Sequence, residues 1–368
     1  MPDFLDQLAR RIEAKADRLG GTFSDRANSL ESEMRDLVRA NWHPLPPDTF
    51  RAPRRPACAV DSSINSADLV NGATLFVSQA LCLGHGPTVY DGIECSRVEV
   101  EILPGATGDG KLKRFNDLLM QTLEVSVARE ALDRLPNGGV VYMDGALYSR
   151  LPQLYPLDID GIDPLHLHIA TDYLELFKVC QRAHRCIDLI CVAKTSRTDQ
   201  HTQIWAREAG LNVHAHLSDS EAIYRWTEGR AGFSTPVVLG HVSFSGGNDY
   251  VLQDTGLANA PAVVAFFVRL ADYDDPLLIE LPGACLGHTG TLSNLEAQPL
   301  DMSRFDILPI LQTLASDYGG LEVYNALLYS VDREVRLKHS TMQEIYIPLV
   351  TRVIGYEVRL DRSDRRWY

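Results

Sequence analysis

Ala57-Cys58-Ala59-Val60-Asp61-Ser62-Ser63 and Val140-Val141-Tyr142-Met143-Asp144-Gly145-Ala146-Leu147 share one arrangement: a short apolar run ending on an aspartate and small residues. Such runs read as buried strands, which sets each carboxylate at the C-terminal edge of a sheet. Burial disfavours the ionised form unless something offsets it. A single strand-end aspartate commonly caps a helix or starts a turn. Two in one domain, with further carboxylates downstream, point to a divalent cation, because Mg²⁺ and Mn²⁺ prefer carboxylate oxygens.

Outward from these runs the pattern alternates between strands and helices. Strands are expected at 57–61, 73–83 and 97–103, the last alternating with period two as a half-exposed antiparallel strand does. A long helix is expected over 111–134, ended by Pro136-Asn137-Gly138-Gly139, followed by strand 140–144. Helix 165–185, strand 187–193 and helices near 200–209 and 218–228 come next. A second β-rich stretch covers 236–244, 262–270 and 277–281, and the C-terminal part reads as helix over 303–317 and 323–355. Early antiparallel strands followed by strand–helix–strand units predict an α/β fold, a ribonuclease H-like mixed sheet flanked by helices. Residues 1–43 read as an N-terminal helical arm, 44–56 as a proline-rich linker, and 57–368 as the main domain.

The 368 residues are 45% hydrophobic and 23% charged, an ordinary globular composition. No apolar run approaches the roughly 20 residues needed to span a bilayer, and the N-terminus lacks signal-peptide character. The seven cysteines are scattered through apolar runs, which suggests reduced thiols in a cytoplasmic protein without a membrane partner. The net charge of −14 argues against a protein that coats nucleic acid by bulk electrostatics, but not against a nuclease with an acidic metal cleft.

Two further carboxylates complete a candidate set. Glu124 lies on the long helix among Leu123, Val127 and Ala128, with Glu130 as the competing choice. Asp332 follows Tyr324 by eight residues, about 80° around and two turns along a continuous helix, unless the chain breaks near Asn325. His339 is the alternative to Asp332. Four acidic groups suffice for two metal ions, which can activate water and steady the leaving oxygen of a phosphodiester. Lys194, followed by Thr195 and Ser196 at the end of strand 187–193, reads either as a phosphate contact or as an exposed lysine with a Ser/Thr N-cap for the next helix. No P-loop, GxSxG elbow or HExxH motif competes.

Taken in order, Asp61, Glu124, Asp144, Lys194-Thr195-Ser196 and Tyr324 with Asp332 resemble the motifs of the NurA family of DNA-end-processing nucleases. The resemblance covers roughly residues 55–350. The first motif reads Asp-Ser-Ser where the family has Asp-Gly-Ser, and the second Asp-Gly-Ala-Leu for Asp-Gly-Ser-Leu; neither change removes a carboxylate. Asp332 stands where some members have His. The resemblance implies a ribonuclease H-like fold, a homodimer, Mn²⁺- or Mg²⁺-dependent exonuclease and endonuclease activity on DNA, and a hexameric HerA-type ATPase as partner. It assigns metal binding to Asp61, Glu124, Asp144 and Asp332, and catalytic support to Lys194 and Tyr324. The alternative is a non-catalytic adaptor of the same fold that docks a motor ATPase, motivated by the altered motif residues.

Overall fold

The computed structural model describes residues 4–20, 28–86, 92–105, 107–181, 186–211, 217–240 and 254–361. Three helices come first: α1 (Phe4–Glu13), α2 (Ala16–Gly20) and α3 (Asn28–Ala40). The apolar residues Phe4, Leu5, Leu8 and Ile12 of α1 are all exposed, whereas Met34, Leu37 and Val38 of α3 are buried in the main core. The short strand β1 (Trp42–His43) then joins the sheet.

Three long antiparallel strands follow: β2 (Ala57–Asp68), β3 (Thr74–His85) and β4 (Gly92–Leu103). Both β2 and β4 run further than the expected 57–61 and 97–103, because pairing with β3 carries the ladder through polar residues such as Ser62, Ser63, Asn65 and Ser66. Helix α4 (Asp109–Ala131) leads to β5 (Val140–Asp144), which pairs in parallel with β2. Helix α5 (Leu165–Cys180) leads to β6 (Asp188–Ala193), parallel to β5. The order β4-β3-β2-β5-β6, three antiparallel strands and then two parallel ones, is the ribonuclease H-like core.

After α6 (Gln200–Glu208) and α7 (Asp219–Trp226) come β7 (Gly232–Ser234), β8 (Val237–Leu239), β9 (Val263–Arg269), β10 (Leu277–Pro282) and β11 (Gln298–Pro299). These strands do not form a separate sheet. β10 pairs antiparallel with β6, and β9, β7 and β1 continue the same sheet, while β8 pairs β9 and β11 pairs β8. The expected strand over 236–244 is described only as far as residue 240.

The C-terminal helices are shorter than the expected 303–317 and 323–355, and the second is interrupted. Helix α8 (Leu308–Ser316) is followed by α9 (Ala326–Val335), whose N-cap is Asn325. The Asn325 side chain accepts from the amides of Leu327 and Leu328, at 3.0 and 2.9 Å, and its backbone is extended at φ −153. Tyr324 therefore lies outside the helix, so the angle expected for a continuous helix does not apply. Further helical segments run to Ile354, where Gly355 adopts a left-handed φ of 72°.

Strand alternation divides the core between the two faces of the sheet. On one face Cys58, Val60, Val141, Met143, Leu189 and Cys191 pack against Leu118, Leu123 and Val127 of α4 and against α5. On the other face Ala59, Tyr142, Ile190 and Val192 pack against Leu311 and Leu314 of α8 and Leu328 and Val331 of α9. Burial on both faces is what makes these strands uninterrupted apolar runs.

A carboxylate cluster at the strand ends

Register brings the two aspartates together, but only Asp144 ends its strand; Asp61 lies within β2, which the pairing with β3 carries on to Asp68. Val60 of β2 pairs with Met143 of β5, so the next residues, Asp61 and Asp144, stand side by side where the strands separate. Asp144 pairs in turn with Val192 of β6, and Lys194 lies two residues beyond on the same face. By alternation this is the face covered by α8 and α9. Lys194 Nζ is 3.2 Å from Asp144 Oδ2 and 4.9 Å from the centre of the Tyr324 ring. Burial would lower the Lys194 pKa, but Asp144 and Tyr324 outweigh it and raise it. The ammonium therefore stays charged at neutral pH.

Glu124 approaches from the opposite face. It is buried on α4, and Ser62, one residue beyond Asp61, donates its hydroxyl to Glu124 Oε1 at 2.7 Å. Arg150 holds the other oxygen, Oε2, at 2.8 Å. Glu124 is thus bonded at both oxygens, and the usual exposed position of a helical glutamate does not apply. Glu130 instead stands 3.4 Å from Arg97 of β4.

Asp61 records how crowded this site is with negative charge. Burial, then Glu124, and to a smaller degree Asp144 and Asp332, push its carboxyl up to about 7. The Ser62 amide, donating to Asp61 Oδ1 at 2.8 Å, opposes the rise. Asp61 is therefore close enough to sense the other three carboxylates predicted from sequence. Asp332 reaches the group from α9 and is exposed. His339 is exposed, lies 2.8 Å from the Gln343 amide nitrogen, and is not among the groups acting on Asp61. Burial and then Asp144 push the Tyr324 hydroxyl up to about 12, while the neighbouring Lys194 ammonium opposes the rise. Ser196 turns back on its own loop, meeting Thr198 Oγ1 at 2.9 Å.

Arg150 is the residue that sequence reasoning missed. No motif marks it, because its role depends on the loop after β5 folding back under the strand end.

The donor chemistry suits a hard divalent cation: four carboxylates, no thiolate, and an Asp61 carboxyl raised first by burial and then by neighbouring negative charge that a cation would offset. As the side chains are placed, no three His, Cys, Asp or Glu groups among the described residues stand close enough to hold an ion.

Fold and cluster together define a ribonuclease H-like α/β protein with carboxylates and a lysine at the ends of its central strands. The family model described as the NurA domain matches residues 55–337, and the chain belongs to the NurA family. Its structure is similar to that of the NurA nuclease from Sulfolobus solfataricus, at 15% identity and TM-score 0.62, covering 100% of this chain and 99% of the other. A structure of NurA with manganese matches at 14% identity and TM-score 0.57, over 94% of this chain and 98% of the other. One of NurA bound to dAMP and manganese matches at 13% identity and TM-score 0.54, over 95% and 94%. No curated protein matches this chain by sequence.

Proposed function

We propose that this chain is a divalent-metal-dependent deoxyribonuclease, a phosphodiester hydrolase acting as exonuclease and endonuclease on single- and double-stranded DNA. The observation that carries this reading is the convergence of Asp61, Glu124, Asp144 and Asp332 beside Lys194 in a NurA-family chain. The manganese and dAMP described for similar NurA structures support Mn²⁺, or Mg²⁺, as the ion and a nucleic acid as the substrate.

Asp61, Glu124, Asp144 and Asp332 are the residues that would hold the metal. The bound ion would supply an activated water and charge stabilisation for phosphodiester cleavage. Lys194, fixed by Asp144, presents a permanent positive charge toward the phosphate oxygens. Tyr324 keeps its hydroxyl proton at neutral pH, so it can donate to the strand or present its ring to a terminal base.

The reading extends to assembly. A homodimer is supported by the exposed apolar stripe of α1. A HerA-type hexameric ATPase as DNA-feeding partner follows from family membership, and it suits a chain of net charge −14 with no phosphate-binding loop of its own. Joint action at DNA ends would place the protein in the cytoplasm; no described helix is long and apolar enough to cross a membrane.

The test is cleavage of end-labelled single- and double-stranded DNA with Mn²⁺, comparing wild type with Asp144→Ala. Metal-dependent degradation that vanishes in the variant is expected. Inactivity of both proteins, with and without a HerA-type ATPase, would favour the adaptor.

A further inference from the structure

We infer that Arg150 is a positioning residue of the carboxylate cluster: it ties Glu124 on α4 to the end of β5 and so sets how Glu124 faces an ion. The inference rests on the metal-dependent reading above.

The geometry is a bridge. One terminal nitrogen of the guanidinium donates to Glu124 Oε2 at 2.8 Å, and the other donates to the Asp144 main-chain carbonyl at 3.0 Å. A planar fork can span two acceptors on different elements, which an ammonium does poorly. Both terminal nitrogens point inward, so Arg150 is committed to the protein and is not a free phosphate contact. Ser62 holds the other Glu124 oxygen at 2.7 Å. Each carboxylate oxygen keeps a lone pair for an ion, and ligating carboxylates are commonly held in this way from behind.

The surroundings are built around this bridge. Gly145 has φ +91, and a Cβ there would stand 2.8 Å from an Arg150 terminal nitrogen. The loop carrying Arg150 is pinned by Glu280 of β10, a buried carboxylate that accepts from the Tyr148 amide at 2.7 Å. Buried Tyr173 of α5 lies against the guanidinium and receives the Gln121 amide at 3.3 Å, linking α5 and α4 behind it. Arg150 offsets the charge of Glu124 as Lys194 offsets that of Asp144.

The experiment is Mn²⁺ binding to the DNA-free full-length protein, read from the electron paramagnetic resonance signal of the free aquo ion. Wild type, Glu124→Gln, Arg150→Gln, the double variant and Arg150→Lys are compared. Arg150→Gln should weaken binding about 10- to 100-fold, and Arg150→Lys should not restore it. The double variant should bind no more weakly than Glu124→Gln alone, because Arg150 acts through Glu124. Wild-type affinity in Arg150→Gln, rescue by lysine, or losses that multiply in the double variant would each overturn the inference. If Arg150→Gln does not fold, Glu124→Gln against the double variant still decides, since neither leaves a carboxylate without its cation. Absence of any saturable Mn²⁺ site in wild type would instead refute the metal reading itself, and the inference with it.

Discussion

Lys194 and Asp144 face each other across the ends of two neighbouring parallel strands, Nζ to Oδ2 at 3.2 Å, with the Tyr324 ring beneath the ammonium. The pair follows from register: Asp144 opposes Val192, and the lysine lies two residues further on the same face. Both side chains keep some solvent contact, so the pair adds little to stability. Its consequence is chemical, because it aims a fixed positive charge at the mouth of an acidic cluster.

Lys194→Met should therefore lower the rate of DNA cleavage about 100- to 1,000-fold, the range for losing one preorganised charge donor, and leave the urea midpoint nearly unchanged. A midpoint drop matching the activity loss would make the lysine structural.

Tyr324→Phe separates the hydroxyl from the ring. The hydroxyl is buried beside the Lys194 ammonium, so removing it should change stability by no more than about 1 kcal/mol. Cleavage should nevertheless fall about tenfold if the hydroxyl meets the strand, a range typical of one lost hydrogen bond. Undiminished turnover would restrict Tyr324 to its ring.

Asp61 predicts a pH signature in the metal-free protein. Its carboxyl is pushed up to about 7 in the folded state, so the native protein binds more protons than the unfolded chain between about pH 4 and pH 7. Stability should then fall as pH rises through that window and level off above it. The size is up to about 4 kcal/mol, from the gap to an unfolded value of about 3.9. Asp61→Asn should flatten this dependence and be more stable than wild type at pH 8. Thermal denaturation with chelator from pH 4 to 8 measures it; parallel curves for the two proteins would contradict the assignment.

Gly145→Ala should cost about 1 to 3 kcal/mol, the scale of a left-handed backbone forced on a non-glycine residue, since φ is +91 and the new methyl meets Arg150. Urea unfolding followed by circular dichroism reads this directly, and a midpoint equal to wild type would show that the loop relaxes.

Deleting residues 1–20 should remove α1 without touching the core, because none of its residues is buried. If the stripe of Phe4, Leu5, Leu8 and Ile12 holds a second copy, the truncated protein should elute as a monomer with an unaltered circular dichroism spectrum. A truncated dimer by light scattering would place the contact elsewhere. Deletion through residue 43 should destabilise the fold, since Met34, Leu37 and Val38 leave the main core.

Much of this architecture is local chemistry written in the chain. Ala57 to Val60 and Val140 to Met143 are apolar without interruption because both faces of their strands are covered; β5 ends at the aspartate that closes its run, whereas β2 continues past Asp61, itself buried, to Asp68. Those runs are why Asp61 and Asp144 could be singled out from sequence, and why their order with Glu124, Lys194 and Asp332 was enough to suggest the family. Other features depend on pairings that no short window contains. The strands from 232 to 282 extend the main sheet because β10 finds β6 across nearly a hundred residues. The helix expected from 323 starts only after Asn325, because one side chain caps two amides there. Arg150 turns inward because a left-handed glycine and a buried glutamate fold its loop back onto α4. By itself the sequence determined which residues carry charge and which apolar runs are strands; the tertiary structure alone decided how far β2 and β4 extend and which of those charges meet, because that depends on cross-strand pairing, register and loop closure.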